Sequence, residues 1–84
     1  MGTETFYEFW VRLLKDEETG QVVAEVPTLE ISDYGPDSQE ALQHLREMVA
    51  FHLECLLAED KSIPEEEITE EGLYLRVRRP VGAP

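Results

Sequence analysis

The sequence predicts an α+β fold of order β-β-β-α-β: a three-stranded antiparallel sheet, one long helix packed on one face, and a C-terminal fourth edge strand. Three observations carry this. Apolar and polar residues alternate with a period of two from Tyr7 and again from Val22. The stretch from Gly35 to Glu65 opens on a helix-start signal and continues with apolar residues at helical spacing. Leu73, Leu75 and Val77 then resume the period of two. The 84 residues make a single domain, 1–84, with an ordered core expected over about 5–79 and a disordered tail over 80–84. A chain of this size hides only about 60 to 65 per cent of the surface its unfolded form exposes, so the core must be thin.

In the first strand Tyr7, Phe9, Val11 and Leu13 alternate with Glu8, Trp10 and Arg12, as one sheet face meeting a core requires. Lys15 to Gln21, KDEETGQ, is a polar hairpin loop in which Gly20 supplies a positive φ. The second strand sets Val22, Ala24 and Val26 on one face, with Val23 and Glu25 on the other. Pro27 cannot donate to a ladder and ends or bends that strand. Leu29 and Ile31, alternating with Glu30 and Ser32, suggest a short third strand.

Gly35 and Pro36 break the sheet, and Asp37 with Glu40 three residues later forms a capping-box-like start. At 100° per residue, Ala41, Leu42, Leu45, Met48, Val49, His52, Leu53 and Leu56 fall on one arc, opposite Gln43, Glu47 and Glu54. Phe51, Cys55 and His44 lie on the flank of this arc, which makes Phe51 and Cys55 candidates for a self-association contact. Pro64 stops the helix, with fraying expected near Glu59 to Lys61. The last strand follows Gly72 and is halted by Pro80. Its simplest place is beside the first strand, parallel to it through a right-handed crossover, where an edge bearing Arg76, Arg78 and Arg79 can pair with a second copy.

Nineteen acidic residues against seven basic ones give a net charge of −12, which repels phosphate backbones and favours cationic partners. The charge is uneven: Glu59 to Glu71 carries seven carboxylates and one lysine. A solvated loop explains such a run without further function, and a docking surface for a basic partner is the alternative. Cys55 is the single cysteine, so no disulfide can form within the chain. With no signal sequence and no apolar run near the roughly 20 residues of a membrane span, a cytoplasmic protein is expected.

Candidate chemistry is sparse. His44, His52 and Cys55 on the helix offer a weak zinc pattern, because His52 sits inside the leucine stripe and no second cysteine exists. Glu8 and Glu25 can face each other across the first hairpin, the minimum for magnesium chemistry. Ser32, Ser38 and Ser62 lie in loops or caps without an elbow motif. The arginines of the last strand are expected to bond the chain's own carboxylates, and Trp10, alternating away from the core, calls for a cover of partner or C-terminal segment. No catalytic residue, cofactor or metal is assigned.

The order of elements, together with Val23-Ala24-Glu25-Val26-Pro27, Gly35, Glu40-Ala41-Leu42, Phe51-His52-Leu53-Glu54 and the DKSIPE stretch from Asp60 to Glu65, resembles the HicB-like antitoxin family over about residues 6–66. Where that family commonly has Pro-Gly-Cys, this chain has Pro27-Thr28-Leu29. The resemblance implies a partial ribonuclease H-like fold without its catalytic acids, and a non-enzymatic role in a toxin-antitoxin system: binding and neutralising a small basic HicA-type RNA-cleaving toxin. Many members add a DNA-binding segment; this chain ends before one, so operator DNA is not an expected ligand.

The expected partner contacts are Asp60, Glu65, Glu66 and Glu67. Trp10, Phe51, Cys55, Tyr74, Arg76 and Arg78 are the expected contacts of a homo-oligomer, a dimer or tetramer. The competing readings are an orphan oligomeric binding module with no toxin, and a metal-dependent ribonuclease H-like nuclease using Glu8 and Glu25.

Overall fold

The computed structural model describes residues 6–69 and 71–79. Its elements are β1 (Phe6–Lys15), β2 (Val22–Val26), a 3-10 turn (Pro27–Leu29), β3 (Ile31–Gly35), α1 (Ser38–Ala58) and β4 (Leu73–Arg78). One sheet has the order β3-β2-β1-β4, all neighbours antiparallel, with α1 across one face. The tail over 80–84 lies outside the described residues. No helix among those described is long and apolar enough to cross a membrane.

The two long-range periodicities meet in the core. Phe9 and Val11 of β1, Ala24 and Val26 of β2, and Leu75 and Val77 of β4 face Ala41, Leu45, Val49 and Leu53, which recur every fourth residue along α1. Phe9 is the largest of the fully buried side chains, and none of the buried residues described is polar or charged. Leu13 continues the inward parity of β1 but is 36% exposed, because the hairpin arm runs past the packed centre.

Local signals set the boundaries. In the Asp16 to Gln21 loop the Gly20 N–H donates to the Asp16 carbonyl at 2.7 Å, with Gly20 at φ +75° as the loop requires. Asp37 caps α1 by accepting the Glu40 N–H at 2.9 Å. At the far end Lys61 N–H donates to the Leu56 carbonyl at 2.8 Å and Asp60 N–H to the Leu57 carbonyl at 3.2 Å, the Schellman pattern. Asp60 takes the left-handed position of that cap at φ 57°. Gly35 is needed for a different reason: a Cβ there would stand 2.8 Å from the Ala41 amide nitrogen, where strand and helix approach.

Three expectations are corrected. Leu29 is not in the third strand: Pro27 opens a 3-10 turn, Glu30 ends it at φ 57°, and β3 starts at Ile31, although Leu29 stays buried. Met48 is not a core residue; at 46% exposure it sits where the apolar arc leaves the sheet. The fourth strand lies beside β1 as expected but antiparallel to it, from Val11↔Leu73 to Phe6↔Arg78. A parallel strand would start where α1 ends. Instead the chain after Ala58 runs back along the sheet and reverses at Gly72, φ +121°, so that β4 retraces β1.

Side chains from α1 also reach both flanks of the sheet. His44 Nδ1 donates to the Tyr34 carbonyl of β3 at 2.8 Å, and Arg46 Nη1 donates to the Arg76 carbonyl of β4 at 2.6 Å. The bond to Tyr34 raises the His44 pKa above its ordinary 6.5, with further help from the charges of Asp33, Glu40 and Glu47 and partial opposition from desolvation. A raised folded value means that protonation favours the fold. This contribution is complete below the unfolded value and fades as pH rises through the folded one. In paired urea titrations of the wild type and His44→Gln, the stability gap between them should be widest below about pH 6.5 and narrow above neutrality. A gap that does not vary with pH would exclude this role for His44.

Candidate functional site

The sheet face away from α1 is open, and the registers determine what lies on it. Trp10 stands opposite Tyr74, Glu8 opposite Arg76, and Phe6 opposite Arg78. The Arg76 guanidinium lies 4.1 Å from the Phe6 ring centroid, a cation–π contact, and Arg12 forms an ion pair with Glu25. Arg78 is engaged as well. Arg12 thus has a carboxylate partner, whereas Arg76, expected to bond one, lies over the Phe6 ring instead.

The same registers remove a pair. Glu25 is opposite Arg12, and Glu8 is opposite Arg76, so the two glutamates do not face each other across the hairpin. The carboxylate pair on which magnesium chemistry would depend is therefore not assembled. Among the described residues no group of three or more His, Cys, Asp or Glu side chains is placed to hold a metal ion. His44 is engaged at the β3 edge, and Cys55 is exposed on the helix.

The expected oligomer contacts separate onto two surfaces. Trp10, Tyr74, Arg76 and Arg78 lie together on the open sheet face. Phe51, 63% exposed, and Cys55 lie on the flank of α1 beside His44 and Met48, in the opposite layer. Trp10 is partly covered from within: a Cβ on Gly72 would sit 3.3 Å from its indole ring, and 39% of the residue stays exposed.

The acidic linker is not a free loop throughout. It passes beside the first half of β1, where Glu66 turns inward and its Oε1 accepts both the Trp10 N–H at 3.0 Å and the Thr28 hydroxyl at 2.6 Å. Further on, the Thr69 N–H donates to the Tyr74 hydroxyl at 3.0 Å. Ile63 packs against the core. Of the four expected partner contacts, Glu66 is thus a clamp and Asp60 a helix cap, whereas Glu65 and Glu67 are exposed and form no ion pair among the described residues.

Between β1 and this linker lies a groove of about 430 Å³, lined by Phe6 to Phe9 on one wall and by Pro64, Glu65, Glu66 and Ile68 on the other. It exists because β2 pairs with β1 from Arg12 to Lys15 alone, and the chain turns away at Pro27. The alternation of β1 and β2 did not by itself disclose it. The signal was present in the unequal reach of two strands joined by one hairpin.

A scan of family models and searches of curated proteins and of solved structures find nothing that matches this chain. Glu66 is a charge-assisted acceptor for one amide and one hydroxyl that would otherwise face the groove. Glu66→Ala is expected to cost about 1 to 3 kcal/mol in urea unfolding and to speed solvent exchange at the Trp10 amide. If stability and Trp10 exchange are both unchanged, the clamp does not exist in solution.

Proposed function

We propose that this chain is a non-enzymatic binding module that captures a small basic protein through the acidic linker and the groove beside it. The carrying observation is that Glu65 and Glu67 stand exposed without an ion pair among the described residues while Glu66 fixes the segment between them to β1 and Thr28. Charge held on an anchored segment presents a fixed pattern, whereas charge on a loose loop presents an average. The net charge of −12 adds a long-range field that draws a cationic protein in and repels RNA.

In the narrower form suggested by the HicB-like resemblance, the captured protein is an RNA-cleaving toxin of HicA type. Neutralisation follows from competition for one surface. A toxin binds RNA through a basic face, and an acidic module seated on that face displaces the substrate without any reaction of its own. The nuclease alternative has less support, because Glu8 and Glu25 do not face each other across the hairpin.

The test is to co-express the chain with the product of a neighbouring reading frame that encodes a small basic protein. A stable complex and protection of RNA from cleavage are expected. The double variant Glu65→Lys, Glu67→Lys should associate about tenfold or more slowly at low salt, with the difference shrinking as salt rises. RNA cleavage that proceeds at full rate in the presence of the chain would overturn the proposal.

A second reading, self-association, is favoured by Phe51 and Met48, two large apolar side chains exposed together on the α1 flank. Sedimentation should show concentration-dependent assembly that Phe51→Ser weakens. A monomer at all concentrations would remove it.

A further inference from the structure

Backbone groups at a sheet edge are templates for another strand, and the fold treats its edges unequally. On the outer edge of β3 the Tyr34 N–H is held by Asp33 Oδ1 at 2.8 Å and its carbonyl by His44 at 2.8 Å. On the outer edge of β4 the Arg76 carbonyl is held by Arg46 at 2.6 Å. Each outer edge thus carries a side chain at one position, Tyr34 on β3 and Arg76 on β4.

A third edge is internal. Backbone groups alternate in direction along a strand, so Phe6 and Glu8 point the same way as Trp10, toward the side that β2 vacates. The Trp10 N–H on that side is taken by Glu66. Among the described residues, no strand and no side chain takes the N–H and C=O of Phe6 and Glu8 there. They open into the groove of about 430 Å³, where Phe6, Pro64 and Ile68 supply apolar surface and Glu8, Glu65 and Glu66 supply carboxylates, with no cation among the described residues that line it. The vacant side of β1 near Leu13 differs, since Lys15 stands there as the kind of charged residue that discourages pairing with a basic strand.

We propose that this groove is a strand-addition site for an extended basic segment, which pairs with Phe6 and Glu8 of β1 while its cationic side chains reach Glu8 and Glu65. In an added strand the side chains on the open face meet Glu8 beside Phe6, and those between them turn to the other face, where Tyr7 lines the groove. The inference rests on the reading of the partner as a basic protein and names the part of that partner that is gripped.

The probe is a capped five-residue peptide of alternating arginine and valine, titrated into the ¹⁵N-labelled chain. Its counterparts are the same peptide N-methylated at alternate backbone positions and a glutamate–valine peptide. Saturable shifts at the Phe6 and Glu8 amides are expected, with slowed solvent exchange at both. N-methylation, which keeps the charge and removes the ladder donors, should weaken binding about tenfold, and Glu65→Gln should weaken it severalfold at low salt.

Equal affinity for the N-methylated or glutamate peptide overturns the proposal, as do shifts confined to the open sheet face around Trp10 and Arg76. Its failure is separable from that of the proposed function. Capture of a basic protein without any change at Phe6 and Glu8 defeats the groove alone, and peptide binding with no suppression of RNA cleavage defeats the function alone.

Discussion

The structure depends on how β1 is shared. Its ten residues exceed what β2 can pair, because Pro27 stops β2 after five residues and offers no N–H to continue the ladder. The strand is therefore divided: its second half pairs with β2, and its first half pairs with β4 on the other side. Every unusual feature of the molecule follows from that offset. The first half of β1 has a vacant side, Glu66 serves one of its amides, and the linker that carries Glu66 is drawn along the vacancy instead of crossing directly to a fourth strand. The return at Gly72 then makes β4 antiparallel.

The helix does more than cover the sheet. Its buried stripe, Ala41, Leu45, Val49 and Leu53, fixes its rotation about its own axis, and that rotation carries His44 to one flank and Arg46 to the other. Both side chains bond backbone carbonyls at the sheet's outer strands. A core made wholly of apolar groups thereby positions two polar contacts outside it. Since no buried residue described is polar or charged, the chemistry open to these residues is surface chemistry: strand pairing, charge and aromatic contact.

Much of the fold was legible because the governing forces are local or periodic. Alternation placed β1, β2 and β4, Asp37 marked the start of α1, and Gly20 marked the hairpin, whereas the capped end at Asp60, where fraying toward Pro64 was expected, was not read. What was not legible depended on competition between elements. Leu29 has strand-like alternation with Ile31, yet Pro27 favours the tight turn and Glu30 accepts a left-handed conformation. Met48 belongs to the helical arc by angle, but α1 meets the sheet mainly through β3 and β2, and that arc is wider than the contact. The direction of β4 could not be read from its residues, because LYLRVR alternates identically either way. The registers that separate Glu8 from Glu25 were likewise hidden, since they depend on where the hairpin loop closes.

The acidic linker shows most clearly why composition alone misleads about a site. Seven carboxylates between Glu59 and Glu71 look equivalent as a charge run, and the fold makes them unequal. Asp60 ends the helix through its backbone, Glu66 turns inward to two donors, and Glu65 and Glu67, its immediate neighbours, are thereby turned out. Anchoring one acid sets the direction of the acids on either side of it, as alternation in an extended segment requires. A partner would then meet a short row of oriented charge beside an open strand edge. Holding like charges so close is unfavourable for the isolated chain, and a cationic partner relieves that repulsion as it binds. The crowding of like charge that a basic partner would relieve and the order of the row thus have the same origin, the bond between Glu66 and β1.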